Sequence, residues 1–148
     1  MALHDLSEML EILSDPHQAR KLQKHNQCFR GIRGVAPGEV ARIASAAWKE
    51  SPTTIPRDLE ALDALFGTAF EDGLAAISLL APAAAQEPED CFDLAMKWCD
   101  QVDDAQTADA LGWGVFGPIL LVDPNLYDEA KALHKHTSPW ARRVIVMA

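Results

Sequence analysis

The sequence predicts an all-α fold in which antiparallel helix pairs stack as a HEAT-like solenoid. Ala and Leu dominate the 148 residues while β-branched residues are few, which favours helix over strand. Apolar residues recur every three or four positions through about eight or nine segments, as on the buried face of a helix. Short breaks that contain Pro or Gly separate the segments, as in repeated helical hairpins. Because the segments share little sequence identity, an irregular all-α bundle stays open as the alternative.

The first half of this single predicted domain (residues 1–148) is expected to hold four helices. A leucine stripe over residues 3–13 marks the first helix, and Asp15-Pro16 is expected to end it and to cap the second. The glycine-rich residues 31–38 form the longest break, and the third helix runs from there to residues 51–52. Residues 55–58, which include Pro56, open the fourth helix.

Helix signals continue in the second half of the chain at about residues 68–82, 88–102, 106–121, 125–135 and 139–148. Residues 143–148 have the pattern of the first turns of an apolar helix, with neither a capping residue nor a polar tail. Stacked repeats need a polar capping repeat at their ends. We therefore expect either that a partner covers this end or that the array is natively truncated.

The charge of the chain is strongly acidic but unevenly distributed. A net charge of -9 argues at first against a nucleic-acid partner, because phosphates would be repelled. Residues 20–49, however, hold seven Lys and Arg against one acid, and residues 58–104 hold twelve acids against one lysine. The C-terminal segment is basic again. Two interpretations stay open, namely solvated helix faces or phosphate contacts at both ends of the chain.

The cysteine, histidine and hydropathy patterns exclude several classes of protein. Cys28, Cys91 and Cys99 form no CxxC pair, so we expect free, buried thiols in a cytoplasmic protein. The first residues lack the pattern of a signal peptide, and no run of about 18 apolar residues predicts a membrane span. His134 and His136 lie two positions apart and would face different sides of a helix, so we expect no metal site.

Four segments of the chain, in this order, resemble the DNA alkylation repair family. They are Gly31-Ile32-Arg33 with residues 40–44, Leu65-Phe66 with Phe70-Glu71 and residues 74–76, Trp98 to Asp109 with residues 115–117, and Trp140-Ala141-Arg142-Arg143. Together they cover residues 28–148. The resemblance implies a HEAT-like alkylpurine DNA glycosylase that binds alkylated duplex DNA and needs no cofactor.

The resemblance also implies a catalytic role for Asp109. The family carries a Trp-x-x-x-Asp pair in the third segment, and its Asp is essential for cleavage of the glycosidic bond. Asp109 matches that Asp, but Ala105 stands at the Trp position, so the ring expected to contact the cationic nucleotide is missing. Trp113, one turn later, is the candidate to replace it. The alternative interpretation of Asp109 is a structural acid near a helix start, although Asp103 or Asp104 is better placed to cap that helix.

Four arginines are candidate DNA contacts. The family places an Arg at the start of the fourth segment to hold a backbone phosphate, and Arg143 fits its Trp-x-x-Arg spacing better than Arg142 does. Arg33 and Arg42 are further phosphate candidates. Each arginine has the alternative of pairing with an acid of a neighbouring repeat. Glu71 lies inside an apolar helix, and we interpret it as a structural acid that bonds a neighbouring element.

The predicted function is release of N3- or N7-alkylated purines from duplex DNA by a monofunctional N-glycosidase. Such a base is already cationic and leaves as a neutral molecule without an acid, so the barrier lies in the cation that grows on the sugar. One carboxylate beside the sugar stabilises this cation and positions a water. Two alternatives stay open: a non-catalytic scaffold that binds protein, and a binder of DNA structures that has lost the chemistry.

Overall fold

The computed structural model describes residues 3–26, 28–55 and 57–148, with His4 described through its backbone alone. Every regular element in these ranges is helical, which confirms the all-α prediction. The HEAT-like stacking of those helices stays a prediction. Pro56, expected to open the fourth helix, lies outside the described residues. No helix in the described ranges has the length and hydropathy that crossing a bilayer requires.

The N-terminal part of the chain forms five helices. They are α1 (Leu3–Ile12), α2 (Pro16–Gln23), α3 (Pro37–Glu50), α4 (Leu59–Phe66) and α5 (Phe70–Ala84). The Asp15 carboxylate accepts a hydrogen bond from the backbone N–H of His17 at 2.9 Å, so it caps α2 as predicted. Helix α5 continues past its predicted end at Pro82. A proline in the last turn removes a single helical hydrogen bond, and burial of Ala83 and Ala84 favours continuation.

The C-terminal part of the chain is more irregular than the sequence predicts. It contains α6 (Pro88–Cys99), α7 (Ala105–Leu111), a π turn (Gly112–Phe116), α8 (Gly117–Val122), α9 (Tyr127–Ala130) between 3₁₀ turns at Pro124–Leu126 and Lys131–Lys135, and α10 (Pro139–Met147). The prediction of one regular helix over 125–135 is wrong. In that segment Ala130 and Leu133 are the buried hydrophobic residues, so little apolar burial holds a regular helix together.

Helix α5 lies at the centre of the fold. It packs against α3 and α4 and also against α6, α7 and the π turn. Eleven of its fifteen residues are buried, including the acids Glu71 and Asp72. One hydrophobic cluster runs through the described chain from Leu6 in α1 to Ile145 in α10. The burial of α5 on several sides explains why two acids in its first turn must find partners inside the protein.

Helices α7 and α10 lie side by side and run in the same direction. Asp109 in α7 pairs with Arg143 in α10, and further along a Cβ on Gly112 would lie 2.5 Å from the carbonyl oxygen of Val144 and 2.8 Å from the Cβ of Met147. A side chain at position 112 would therefore push the helices apart. The glycine fixes how closely α10 approaches α7, and with it the distance between Asp109 and Arg143.

Candidate functional site

The two residues that the resemblance singles out most strongly are in contact. The Arg143 guanidinium donates from Nε to Asp109 Oδ1 at 2.5 Å and from Nη2 to Asp109 Oδ2 at 2.8 Å. The side chains are 45% and 35% exposed, respectively, so the pair faces solvent. Two parallel hydrogen bonds fix the relative orientation of both groups. The fold thus joins the predicted catalytic carboxylate and the predicted phosphate anchor, which lie 34 residues apart.

The pairing leaves Arg143 with unused hydrogen-bonding capacity. Its hydrogen bond to Asp109, and then the charge of that carboxylate, raise the pKa of the guanidinium, which stays protonated. Nε and Nη2 face the carboxylate, and within the described chain Nη1 has no hydrogen bond. Since a guanidinium carries five N–H donors in a rigid fork, Nη1 is available to bind a second anion.

Trp113 stands four residues after Asp109, in the π turn that follows α7. Its side chain is 76% exposed, which is unusual for the largest apolar residue type. Of the glycines on either side, Gly112 contacts α10 closely, whereas a Cβ on Gly114 would make an ordinary van der Waals contact with Ala81 of α5 at 3.9 Å. π turns are frequent at functional sites. The turn presents an indole ring to solvent one turn beyond the ion pair.

Arg142 and Arg42 are at the surface but already have partners. Arg142 donates from Nη1 to the carbonyl oxygens of His136 at 2.6 Å and Thr137 at 3.2 Å, so it holds the segment that leads into α10. Arg42 lies in α3 and pairs with Glu39, three residues earlier, at 2.7 Å. Among the four candidate arginines, Arg143 is the one that the fold brings to Asp109.

Arg33 lies inside the protein, unlike the DNA contact predicted for it. Its side chain is 16% exposed, and Nε donates at 2.7 Å to Oδ1 of the fully buried Asp72. This hydrogen bond raises the pKa of Arg33. Glu71 accepts hydrogen bonds from the backbone N–H of Arg33 at 2.8 Å and of Gly34 at 3.2 Å. The structural interpretation of Glu71 is confirmed, and the Arg33 guanidinium serves the same buried network.

Arg30 is also internal. Its guanidinium carbon lies 4.6 Å from the centroid of the Phe66 ring, which stacks on Trp98 with centroids 4.4 Å apart. Arg30 Nη1 donates to the carbonyl oxygen of Phe66 at 2.6 Å. Attraction between the cation and the ring stabilises this layered arrangement. With Arg30 and Arg33 internal, the basic stretch 20–49 offers less surface charge than its sequence indicates.

The sequence analysis missed a polar cluster beside Arg30. Cys28, Asp103 and Asp104 bring their sulfur and oxygen atoms within 4.8 Å of one another, a set of metal-ligating type. Both Asp104 oxygens already accept hydrogen bonds from Thr107 at 2.7 Å, and Arg30 Nη2 lies 3.8 Å from Asp104 Oδ2. Burial raises the pKa of the Cys28 thiol, although Arg30 opposes this. We interpret the cluster as the cap of α7, with Arg30 as its counter-charge.

Comparison with known proteins assigns the chain to a family. No curated protein and no solved structure matches the chain. The family model described as DNA alkylation repair enzyme matches residues 6–148, a range that contains α7, the π turn and α10 with the Asp109–Arg143 pair. The chain therefore belongs to the DNA alkylation repair enzyme family.

Proposed function

We propose that this protein binds duplex DNA through the face formed by α7 and α10, and that it releases positively charged N3- or N7-alkylpurines by hydrolysis of the N-glycosidic bond. The observation that carries the proposal is the bidentate, solvent-facing pair of Asp109 and Arg143. Membership of the DNA alkylation repair enzyme family supports DNA as the substrate.

In the proposed reaction, Asp109 stabilises the cation that develops on the deoxyribose. The bond between C1′ and the base nitrogen breaks, and its electron pair neutralises the cationic base, so no acid is needed. A water then forms a bond to C1′ and loses its proton to Asp109 or to solvent. A carboxylate held in position for this charge lowers the barrier because it needs no reorganisation during the reaction. One acid suffices for such a reaction.

Arg143 has two roles in this proposal. Nε and Nη2 orient the Asp109 carboxylate, and Nη1 holds a phosphate next to the target nucleotide. A guanidinium shared between a carboxylate and a phosphate leaves the three groups with a net negative charge. The sugar cation is therefore still attracted, even though Asp109 alone is neutralised by its partner. This explains how an ion-paired Asp109 can act in catalysis.

Trp113 supplies the aromatic surface in this proposal. Ala105, the first residue of α7, cannot contact the nucleotide with a ring. The indole of Trp113 is 76% exposed and follows Asp109 by one turn, so it is available to the face of a cationic nucleotide.

The test is release of 7-methylguanine and 3-methyladenine from methylated duplex DNA, measured by mass spectrometry. We expect Asp109→Asn to lower release by at least about 100-fold while DNA binding persists. We expect Arg143→Gln, which removes one phosphate-neutralising charge, to weaken DNA binding and to reduce its salt slope by about one. The matched control is Asp128→Asn, an exposed acid of α9 that pairs with Lys131. If the folded wild type releases no base, the glycosylase proposal is wrong.

The missing ring at Ala105 and the neutralised Asp109 also favour a second candidate, a protein that binds DNA structures without chemistry. This candidate predicts salt-dependent DNA binding that is the same for wild type and Asp109→Asn, and no base release. A protein-binding scaffold, favoured by the acidic residues 58–104, predicts no DNA binding at low salt. Measurements of DNA binding and of base release therefore distinguish the glycosylase, the DNA-structure binder and the protein scaffold.

A further inference from the structure

Helix α1 exposes a face that carries both acids and apolar side chains. Two fully buried leucines hold the helix on the core, and Glu8 and Glu11 are exposed on its outer side. Ile12 continues that side, because residues at i, i+3 and i+4 lie together on a helix. The Ile12 side chain is 81% exposed, and that of Leu13, the next residue, is 39% exposed. Uncovered aliphatic surface therefore lies directly beside two carboxylates.

Helix α2 exposes a basic face. The helix and the three residues that follow it contain no acid, and Arg20, Lys21 and Lys24 lie exposed on one side of it. Ala19, the buried residue of α2, packs on the loop at Gly34, where an added Cβ would lie 2.5 Å from the backbone nitrogen of Ala19. Since this contact is on the other side of the helix, the three cations point away from the body of the protein.

The charges of these two faces have no partners in the described part of the chain. The acids of α1 and the cations of α2 make no side-chain hydrogen bond or ion pair there, whereas exposed cations of α3 and α6 each pair with an acid. Glu11 is attracted by the charge of Arg33, but Asp72 already compensates Arg33 at 2.7 Å. Charges that are separated by sign and left unpaired are available to a partner of complementary charge.

A groove of about 820 Å³ adjoins the acidic face of α1. Glu8 and Glu11 line one side of the groove, and two alanines of α4 line the other. Arg57 also lines it, but its guanidinium is paired with Asp58 at 2.7 Å. Carboxylates opposite small apolar residues suit a Lys or Arg side chain, whose methylene stem packs on apolar surface while its charge meets an acid. The groove can therefore receive basic side chains from outside.

The acidic and basic faces are adjacent and have apolar residues between them. Residues 13–15 join α1 to α2, and the backbone N–H of Asp15 donates to the carbonyl oxygen of Arg33 at 2.9 Å, which fixes the link. The surface changes from acidic to apolar to basic within residues 8–24. We define the N-terminal patch as Glu8, Glu11, Ile12, Leu13, Arg20, Lys21 and Lys24. Rotation by half a turn about its apolar centre brings the acids of one copy to the cations of another.

We propose that the N-terminal patch is a two-fold dimer interface, in which the α2 cations of each copy enter the acidic groove of the other and Ile12 and Leu13 pack across the axis. An interface of this symmetry must be self-complementary, and an apolar centre with opposite charges on its two sides meets that requirement. A basic partner would leave the α2 cations uncovered, and DNA would be repelled by the acids. The interface contains neither Asp109 nor Arg143, so it goes beyond the proposed function.

The first measurement is the mass of the purified full chain by sedimentation equilibrium, at concentrations up to about 0.5 mM. We expect wild type to approach twice the 16.2 kDa of one chain. The expected dissociation constant is about 10–100 µM, because a patch on two short helices is smaller than a standard interface. Ile12→Ser should raise it at least about tenfold, because each dimer loses two buried side chains. Leu121→Ser, at a position 85% exposed in α8, is the matched control and should leave it unchanged.

Charge reversal tests the pairing across the two-fold axis. In Glu8→Lys with Glu11→Lys, both sides of the patch are basic. In Arg20→Glu with Lys21→Glu and Lys24→Glu, both sides are acidic. Each variant alone should be monomeric, with the circular dichroism spectrum of wild type. An equimolar mixture of the two should restore the dimer, since every contact across the axis then joins opposite charges.

The control for charge reversal is Glu89→Lys with Asp93→Lys, which makes the same change on exposed acids of α6 and should dimerise as wild type does. A monomeric wild type, or reversed variants that stay monomeric when mixed, would overturn the proposal. Dimers that survive Ile12→Ser would place the interface elsewhere, and masses above that of a dimer would show that the contact does not close. If the α2 variant stays dimeric but loses DNA affinity, the cations serve DNA and the proposal is wrong.

Discussion

Replacing Glu71 by Gln tests the buried network that fixes residues 31–34 against α5. The Glu71 carboxylate is fully buried and uses both oxygens. The backbone N–H of Arg33 donates to Oε1 at 2.8 Å and to Oε2 at 3.0 Å, and the N–H of Gly34 donates to Oε2 at 3.2 Å. Gln has nearly the same shape but one acceptor oxygen. In Glu71→Gln the amide NH₂ therefore faces the buried N–H of Gly34.

The size of the effect follows from two opposing contributions. Loss of a charge-assisted hydrogen bond and of the partner of a buried N–H destabilises by about 2–4 kcal/mol. Burial raises the pKa of Glu71 above its ordinary value of 4.5, which shows that desolvation offsets part of what the carboxylate contributes. We therefore expect Glu71→Gln to lower the free energy of unfolding by about 2 kcal/mol at neutral pH, and the Tm by roughly 4–8 °C.

The assay is urea denaturation followed by far-ultraviolet circular dichroism, with thermal melting as a second readout. The matched control is Glu39→Gln, because Glu39 is an exposed acid that pairs with Arg42 within α3. This control should leave the denaturation midpoint unchanged. A Glu71→Gln protein as stable as wild type would refute the reasoning, since desolvation of the carboxylate would then cancel its hydrogen bonds.

Three further predictions concern other buried or close contacts. Burial opposes ionisation of Asp63, but the hydrogen bonds from Lys97 and Trp98 and the charge of Lys97 together outweigh it and hold the pKa of Asp63 below its ordinary 3.8. The ionised group then stabilises the fold above that pH, so the advantage of wild type over Asp63→Asn should shrink in urea titrations as the pH falls from about 5 to about 3. Gly112→Ala should destabilise by about 1–3 kcal/mol in the same titration, because its Cβ would lie 2.5 Å from the carbonyl oxygen of Val144; unchanged stability would contradict the close approach of α7 and α10. Burial raises the pKa of the Cys99 thiol to about 12, so iodoacetamide at about pH 8 should modify it in urea and leave it intact in the native protein.

Local patterns in the sequence predict the helices well where burial is regular. The apolar spacing and the caps at Asp15 and Asp104 depend on residues within one or two turns, and both caps are present. The segment 125–135 was harder to predict, because it contains helix-forming residues without the packing that keeps them in one regular helix. Propensity without burial does not decide the form of a short segment.

The candidate site depends on contacts between residues distant in the chain. Asp109 and Arg143 were singled out through a family resemblance, and no property of either position alone predicts that they pair. Arg33 looked like a surface cation because its partner Asp72 is 39 residues away. The polar cluster of Cys28, Asp103 and Asp104 combines two segments that are about 75 residues apart, so no local pattern indicates it. The doublet Glu71-Asp72 in an apolar helix is the one local signal that a buried cation lies opposite.

The π turn at Gly112–Phe116 makes the chain tolerant of one particular change in length. A π turn holds one residue more than an α-helical turn, so deletion of a single residue there would leave a regular helix. The wide turn rotates its five residues about as far as an α-helix rotates four residues at about 100° each, so the helix after the deletion would keep its orientation relative to α7. In α8, the fully buried Ile119 would still face the core, and Leu121, which is 85% exposed, would still face solvent. Loss of one residue should therefore be accepted at this turn far more readily than within α7 or α10, where it would turn every later side chain of the helix by about 100°.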